Sequence, residues 1–361
     1  MSKKWASLLL FACLITFPLL SCYQEKSGSA AETTKSSVVV GCGLSETLSL
    51  LRIKDNDQFS VDNDVQQTCQ AISKMIEKGD KIFGLCSLSN SIIVYKKSDL
   101  KIITEYALGN GKNPISFCFD SSDRVWVSNF ISETVEVYKI REDDLKLVKT
   151  FDLSGVFSNS SSRPSGIGCS PSGVFAVLEN LDDDFLPAGN SAIAVFNPAE
   201  LKLAGTFEIS GKDAIAAEFR ENDGFVYVTC AGDYEWGTGF KGNGRLVAFD
   251  PQEKREAWAI DISGAPFELE IWKNFAIMGN GKEGKILLAD LEKQTELPPI
   301  DIRQSDSTGL SYVSALETTS SDLLVAAEFN QDRLFVFDLN GFEKLQDFSV
   351  CDGPDALVSV E

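Results

Sequence analysis

One short pattern, a β-branched or apolar run closing on an aromatic or apolar residue, recurs along the chain at a nearly fixed interval. It stands at Thr47–Leu51, Ser91–Tyr95, Thr134–Tyr138, Ala192–Phe196, Arg245–Phe249, Lys285–Ala289 and Arg333–Phe337. Leu51 and Phe337 are 286 residues apart in six steps, about 48 per step, which is the period of a propeller blade. A second pattern, apolar then polar then apolar, keeps pace with the first. It reads Phe59–Val61, Tyr106–Leu108, Phe151–Leu153, Phe207–Ile209, Ile260–Ile262, Ile300–Ile302 and Phe348–Val350. Alternation with period two marks a strand. Other apolar runs precede these, such as Ile115–Phe119, a turn at Asp120–Arg124, then Val125–Val127. Four short strands per repeat predict an all-β fold, a seven-bladed β-propeller of four-stranded blades.

The ends of the repeat predict how the ring closes. The copy starting near Ser37 lacks an inner strand, and Asp355–Val360 supplies a strand with no blade of its own. The C-terminal strand is therefore expected to complete the N-terminal blade, which leaves no open sheet edge at the seam.

The segment from Ser87 to Phe119 carries a finer pattern: Ser91–Tyr95, a turn at Gly109 and Gly111, then Asn113-Pro114 and an apolar strand. Val127-Ser128-Asn129 followed by Ser132–Val137 continues it, and Arg163-Pro164, Ala265-Pro266 and Gly353-Pro354 repeat the proline. This resembles the YVTN-type β-propeller repeat over roughly residues 37 to 361. The resemblance implies architecture and says little of activity, because such propellers serve as surface proteins, binders and occasional enzymes.

Residues 1–21 read as an address label, with Lys3 and Lys4 ahead of an apolar run from Trp5 to Leu20. The run ends Leu19-Leu20-Ser21-Cys22, which resembles a bacterial lipobox with Cys22 as the lipidated residue. Residues 22–36 are small and polar, the composition of a flexible tether, and residues 37–361 form the propeller domain. The residue after Cys22 is Tyr and not Asp, which by resemblance to lipoproteins of double-membraned bacteria points toward the outer membrane. The expected location is therefore an exported, lipid-anchored protein of the outer membrane or periplasm, with the cell surface as an alternative. Membrane contact is expected through the lipid anchor only.

The chain has 33 Lys+Arg against 53 Asp+Glu, a formal charge of −20, and no histidine. Removing Lys3 and Lys4 with the leader takes the charge to −22. Such a surface repels phosphate backbones, so no nucleic acid partner is expected. The acidity reads first as solubility and second as attraction for a cationic partner. Without an imidazole, serine triads and histidine-ligated zinc or haem are excluded.

Loop lengths locate the candidate site. From the end of the second strand to the end of the third-strand motif there are 9 residues in five blades, as in Cys86 to Tyr95. The interval is 17 from Glu179 to Phe196 and 19 from Cys230 to Phe249. Blades four and five thus carry extra loops on one face. The first contains Asp182, Asp183, Asp184 and Phe185; the second contains Asp233, Tyr234, Glu235 and Trp236. Together with Glu179 and Glu328, at equivalent ends of second strands, these are the candidate ligand-binding residues. Clustered carboxylates suit a hard cation such as Ca²⁺, and Tyr234 and Trp236 suit a stacking or cation–π platform. The alternative is that Phe185, Trp236 and Phe240 fold inward over the channel and the acids are simply solvated. Asn129 and Asn280 at the same ring level read as turn-stabilising residues.

Nine cysteines include Cys13 in the leader and Cys22, leaving seven in the propeller and at least one thiol unpaired. Cys42–Cys351 and Cys69–Cys86 are the two conceivable disulfides, against the alternative that these are small buried hydrophobes. The expected function is a non-catalytic envelope module binding a protein, peptide or small ligand through its loop face. The alternative is a carboxylate- or metal-dependent lactonase-like hydrolase.

Overall fold

The computed structural model describes residues 34–54, 58–141, 144–303 and 311–360. The leader, the lipidation candidate Cys22 and the tether up to residue 33 lie outside the described residues. The first strand, Thr34–Cys42, opens inside the expected tether.

Among the described residues there is no helix; seven four-stranded antiparallel sheets make a ring. In each blade the innermost strand begins at the channel mouth: Ile72–Lys78, Pro114–Phe119, Pro164–Ser170, Ala214–Phe219, Pro266–Trp272, Val313–Thr318 and, for blade one, Pro354–Val360. The last of these pairs with Thr34–Cys42, Ser37 opposite Val360 and Gly41 opposite Ala356. The C-terminal strand therefore closes the N-terminal blade, as the repeat count requires.

Second and third strands are apolar nearly throughout because both of their faces meet a neighbouring blade, whereas the inner strands also line the channel. Seven apolar clusters result, one at each junction between blades. At the junction of blades three and four, Trp126 lies against Phe151 and Phe196, with ring centroids 5.8 and 5.5 Å away. Its Nε1 donates to Asp120 Oδ2 at 2.8 Å, and Arg124 Nε donates to the same oxygen at 2.7 Å. Arg124 Nη2 continues to Pro198 O in blade four at 2.6 Å. The polar end of a buried indole is thus satisfied and made into a tie between blades.

Every inner strand shifts register against its second strand within its first residues. The seven blades can therefore be compared position by position. Blades four and five approach closely at Gly166, where an added Cβ would sit 2.6 Å from Ile215 O and 2.7 Å from Ala216 Cα.

Three disulfides cross-link the ring. Cys42–Cys351 ties the first strand to the segment before the last, at the seam. Cys69–Cys86 joins the turn ahead of blade two's inner strand to the end of its second strand. Cys118–Cys169 joins the inner strands of blades three and four, a pairing for which sequence spacing offers no cue. Cys230 is buried and unpaired, and burial pushes its thiol far up, out of the reactive range.

Candidate functional site: the loop face and the channel

The two long loops emerge from adjacent blades on one face, each braced by its own polar residues. In blade four, Asp182 Oδ1 accepts the backbone N–H groups of Asp184 and Leu186, both at 2.9 Å. Leu181 bridges to Ser161 on one side and Pro187 on the other. This turn holds Phe185 at φ 59°, a costly angle for an aromatic residue, and leaves its side chain 45% exposed. The ring lies nearly parallel to Phe130, 6.2 Å between centroids. The Arg163 guanidinium sits 4.9 Å from the Phe185 ring and 5.4 Å from the Phe130 ring.

In blade five, Tyr234–Glu235 and Gly239–Phe240 form a small hairpin. Gly237 and Gly239 take the positive φ its turn needs. Asp233 pairs with Lys212 at 2.8 Å and accepts Asn243 Nδ2 at 2.8 Å. Glu235 binds Lys241 and accepts the Thr238 hydroxyl at 2.9 Å. The aromatic chain Trp236, Tyr234, Phe240, Phe267 runs from the hairpin tip to the top of blade six, with centroid separations of 5.3, 4.9 and 5.2 Å. Trp236 is 63% exposed. The tip aromatics therefore point outward, while Phe240 packs on Phe267.

The acids do not converge. Asp182, Asp233 and Glu235 hold their own loops, and Asp183 and Asp184 stand exposed. No group of three or more Asp, Glu or Cys side chains is arranged to hold a metal among the described residues. Glu328 is buried and accepts the N–H groups of Tyr312 at 3.0 Å and Gln331 at 2.6 Å, a turn-holding role. Glu179 is buried beside Asp213, which stands just ahead of the inner strand of blade five. Burial pushes Asp213 up to about 6 and Glu179 well above the usual carboxylate range, the Asp213 charge adding to the latter. Burial and their mutual repulsion therefore disfavour ionising both carboxyls at the roots of the two loops. Asn280 Oδ1 accepts from Ala265 N at 3.0 Å and Lys282 N at 3.1 Å, which holds its turn.

Sequence reasoning missed the channel. Cavities of about 150 and 80 Å³ are lined by Lys74, Glu218, Glu268, Glu270, Glu317 and Asp355, among apolar neighbours. Among the described residues, Lys74 is the one cationic side chain on this lining. Burial pushes Glu270 up to about 7 and Glu317 up to about 8, and Glu218 and Glu268 rise for the same reason. Asp355 rises to about 7 by burial and the nearby Glu268 charge. Lys74 works against the rise at all four glutamates.

Position counting explains three of these acids. Glu218, Glu270 and Glu317 are each the fifth residue of their inner strand. Glu317 accepts the backbone N–H of Ser359, the sixth residue of the next blade's inner strand, at 2.8 Å. Glu270 accepts the hydroxyl of Thr318, the sixth residue of its next blade, at 3.1 Å, and Glu218 lies beside Ile271, the sixth residue of blade six. In blade three the fifth residue is Cys118, and its disulfide partner Cys169 is the sixth residue of blade four. One position thus staples neighbouring blades by a carboxyl at three junctions and by sulfur at a fourth. The available signal was a glutamate recurring inside apolar inner-strand runs, as in Ala214–Glu218, Pro266–Glu270 and Val313–Glu317.

No family model matches the chain, and no curated protein matches it. Solved structures do. A putative 6-phosphogluconolactonase from Bacteroides fragilis is similar over 92% of this chain and 100% of its own, at 12% identity and a TM-score of 0.68. A protein from Lactobacillus plantarum is similar over 90% of this chain and 99% of its own, at 14% identity and a TM-score of 0.69. Virginiamycin B lyase from Staphylococcus aureus is similar over 79% and 87%, at 13% identity and a TM-score of 0.60. At such identities the likeness is one of fold, and the fold is the seven-bladed β-propeller.

Proposed function

We propose that this protein is a non-catalytic binding module of the bacterial cell envelope, tethered by lipid at Cys22, that engages its ligand through the loop face. The observation that carries the reading is the pair of braced aromatic tips, Phe185 and Trp236, held out to solvent on adjacent blades. A strained, exposed aromatic is costly to maintain, and such residues supply the anchoring contacts of binding surfaces. The loops stand on a rigid ring, so little ordering accompanies binding.

The other reading, a carboxylate-dependent hydrolase, draws on the name of the Bacteroides fragilis neighbour and on the adjacent, burial-raised carboxyls of Glu179 and Asp213. That pair is buried, and no imidazole stands ready as a base. The test is a pull-down from envelope extract with wild type and Phe185→Ala/Trp236→Ala, beside a lactone and ester panel with and without calcium. A partner retained by wild type and lost by the double variant supports binding. Turnover that Glu179→Gln or Asp213→Asn abolishes would replace this reading with the hydrolase.

A further inference from the structure

The exposed apolar residues of the loop face are not confined to the two long loops. Each of five consecutive blades carries one large apolar side chain at the tip of the loop joining its second and third strands. They are Leu44 (60% exposed), Leu88 (61%), Ile131 (45%), Phe185 and Trp236. The antiparallel blades repeat one connectivity around the ring, so these five tips share the face and form an arc around the channel mouth. Blades six and seven break the series. The blade-six tip reads Lys282-Glu283, and in blade seven Phe329 turns aside to stack on Tyr312 at 5.3 Å. Scattered single apolar residues on a surface need no explanation, whereas one per blade at one position over five blades does.

The charges around the arc are unequal. Lys112 pairs with Glu136, Lys212 with Asp233 and Lys241 with Glu235, the Arg163 guanidinium lies on the Phe185 and Phe130 rings, and Lys282 stands beside Gly242 at the blade-six end. Glu46, Asp183 and Asp184 make no ion pair among the described residues, and the whole chain carries an acidic excess. An apolar arc edged by unpaired carboxylates complements a surface of apolar centre and basic edge. The same carboxylates are repelled by anionic headgroups, which disfavours a membrane as the occupant.

We infer that the arc of loop tips on blades one to five docks a partner protein whose contact surface is apolar at its centre and lined with Lys or Arg at its edge. The inference rests on the binding reading above and extends its footprint from two blades to five. Three labelled amphipathic model peptides provide the test, read by fluorescence anisotropy with the whole protein: Leu/Lys, Leu/Glu and Ser/Lys. Vesicles of phosphatidylcholine, with and without one quarter phosphatidylglycerol, run beside them. The Leu/Lys peptide is expected to bind at least tenfold tighter than either other peptide. The Leu44→Ser/Leu88→Ser/Ile131→Ser variant should weaken it at least fivefold with the thermal midpoint unchanged. Glu46→Gln/Asp183→Asn/Asp184→Asn should weaken it about threefold and flatten its salt dependence. Ser/Lys binding as tight as Leu/Lys, an unaffected Leu44/Leu88/Ile131 variant, or capture by vesicles in preference to the peptides would overturn the inference. If Phe185→Ala/Trp236→Ala weakens binding and the three-tip variant does not, the arc fails while the two-loop site stands. If neither variant matters, both readings fall.

Discussion

The junction between blades three and four and the junctions from blade five round to blade one meet the same need with different chemistry. All join the fifth residue of one inner strand to the sixth of the next. At the first, Cys118 and Cys169 make a covalent bond. At the others a carboxyl meets the following blade: Glu317 accepts the Ser359 N–H, Glu270 accepts the Thr318 hydroxyl, and Glu218 lies beside Ile271. A disulfide is indifferent to protons and sensitive to reductant, and a buried carboxyl is the reverse. The junction of blades three and four is therefore held by a redox-sensitive staple, those from blade five to blade seven by proton-sensitive carboxyls, and the seam by both, since Cys42–Cys351 and the Glu317–Ser359 bond lie there.

The largest effect expected from breaking this contrast is at the sulfur side. The bridge spans 51 residues, and a loop of that length corresponds to about 4 kcal/mol in the chain-entropy account. Cys118→Ala/Cys169→Ala should lower the thermal midpoint by about 8 °C, by the same amount at pH 5.5 and pH 8.5. A loss that changes with pH would mean the two kinds of junction are not independent.

Next in size is the pH response of the wild type. The folded carboxyls titrate above their unfolded values, Glu270 and Asp355 at about 7 and Glu317 at about 8. The folded state thus holds extra protons, so this stability is complete below the unfolded carboxyl range and is lost as pH climbs through 7 to 8. One raised carboxyl corresponds to on the order of 3 kcal/mol as an upper bound. The midpoint should fall by about 5 °C between pH 5.5 and pH 8.5. A flat profile would remove the carboxyl junctions from the account.

A smaller effect sharpens the assignment. Glu270→Gln/Glu317→Gln keeps an acceptor oxygen facing each donor but cannot ionise. It should recover about half of the alkaline loss and change little at pH 5.5. Smallest of all, Trp236→Ala should move the midpoint by less than about 1 °C, because an exposed tip contributes under about 0.5 kcal/mol. A larger fall there would make the hairpin part of the ring's support instead of a docking tip.

The wheel was legible because blade strands repeat: Ile92, Val94, Val135 and Val137 are all buried on the same period. The two excursions were legible because extra length interrupts that period. What the carboxylates do was not. Asp182, Asp233 and Glu235 look like a ligand set in one dimension, yet each closes a local turn or pair, an outcome that spacing alone does not separate from convergence. Glu218, Glu270 and Glu317 lie in inner strands about 50 residues apart, and only the ring brings each against the next blade. The arc of Leu44, Leu88 and Ile131 was equally hidden, since a lone leucine in a turn carries no message until its counterparts share a face.

Strand Thr34–Cys42 has a mechanical consequence. It is clamped on both sides, by Thr47–Lys54 and by Pro354–Val360, and its far end is fastened through Cys42 to Cys351. Tension drawn through the chain ahead of Thr34, along the strand, would load both ladders in shear with all their bonds sharing the strain together. Peeling would require the rungs to fail one at a time, and this geometry does not offer that route. A wheel held at that strand can be tugged without being unwound.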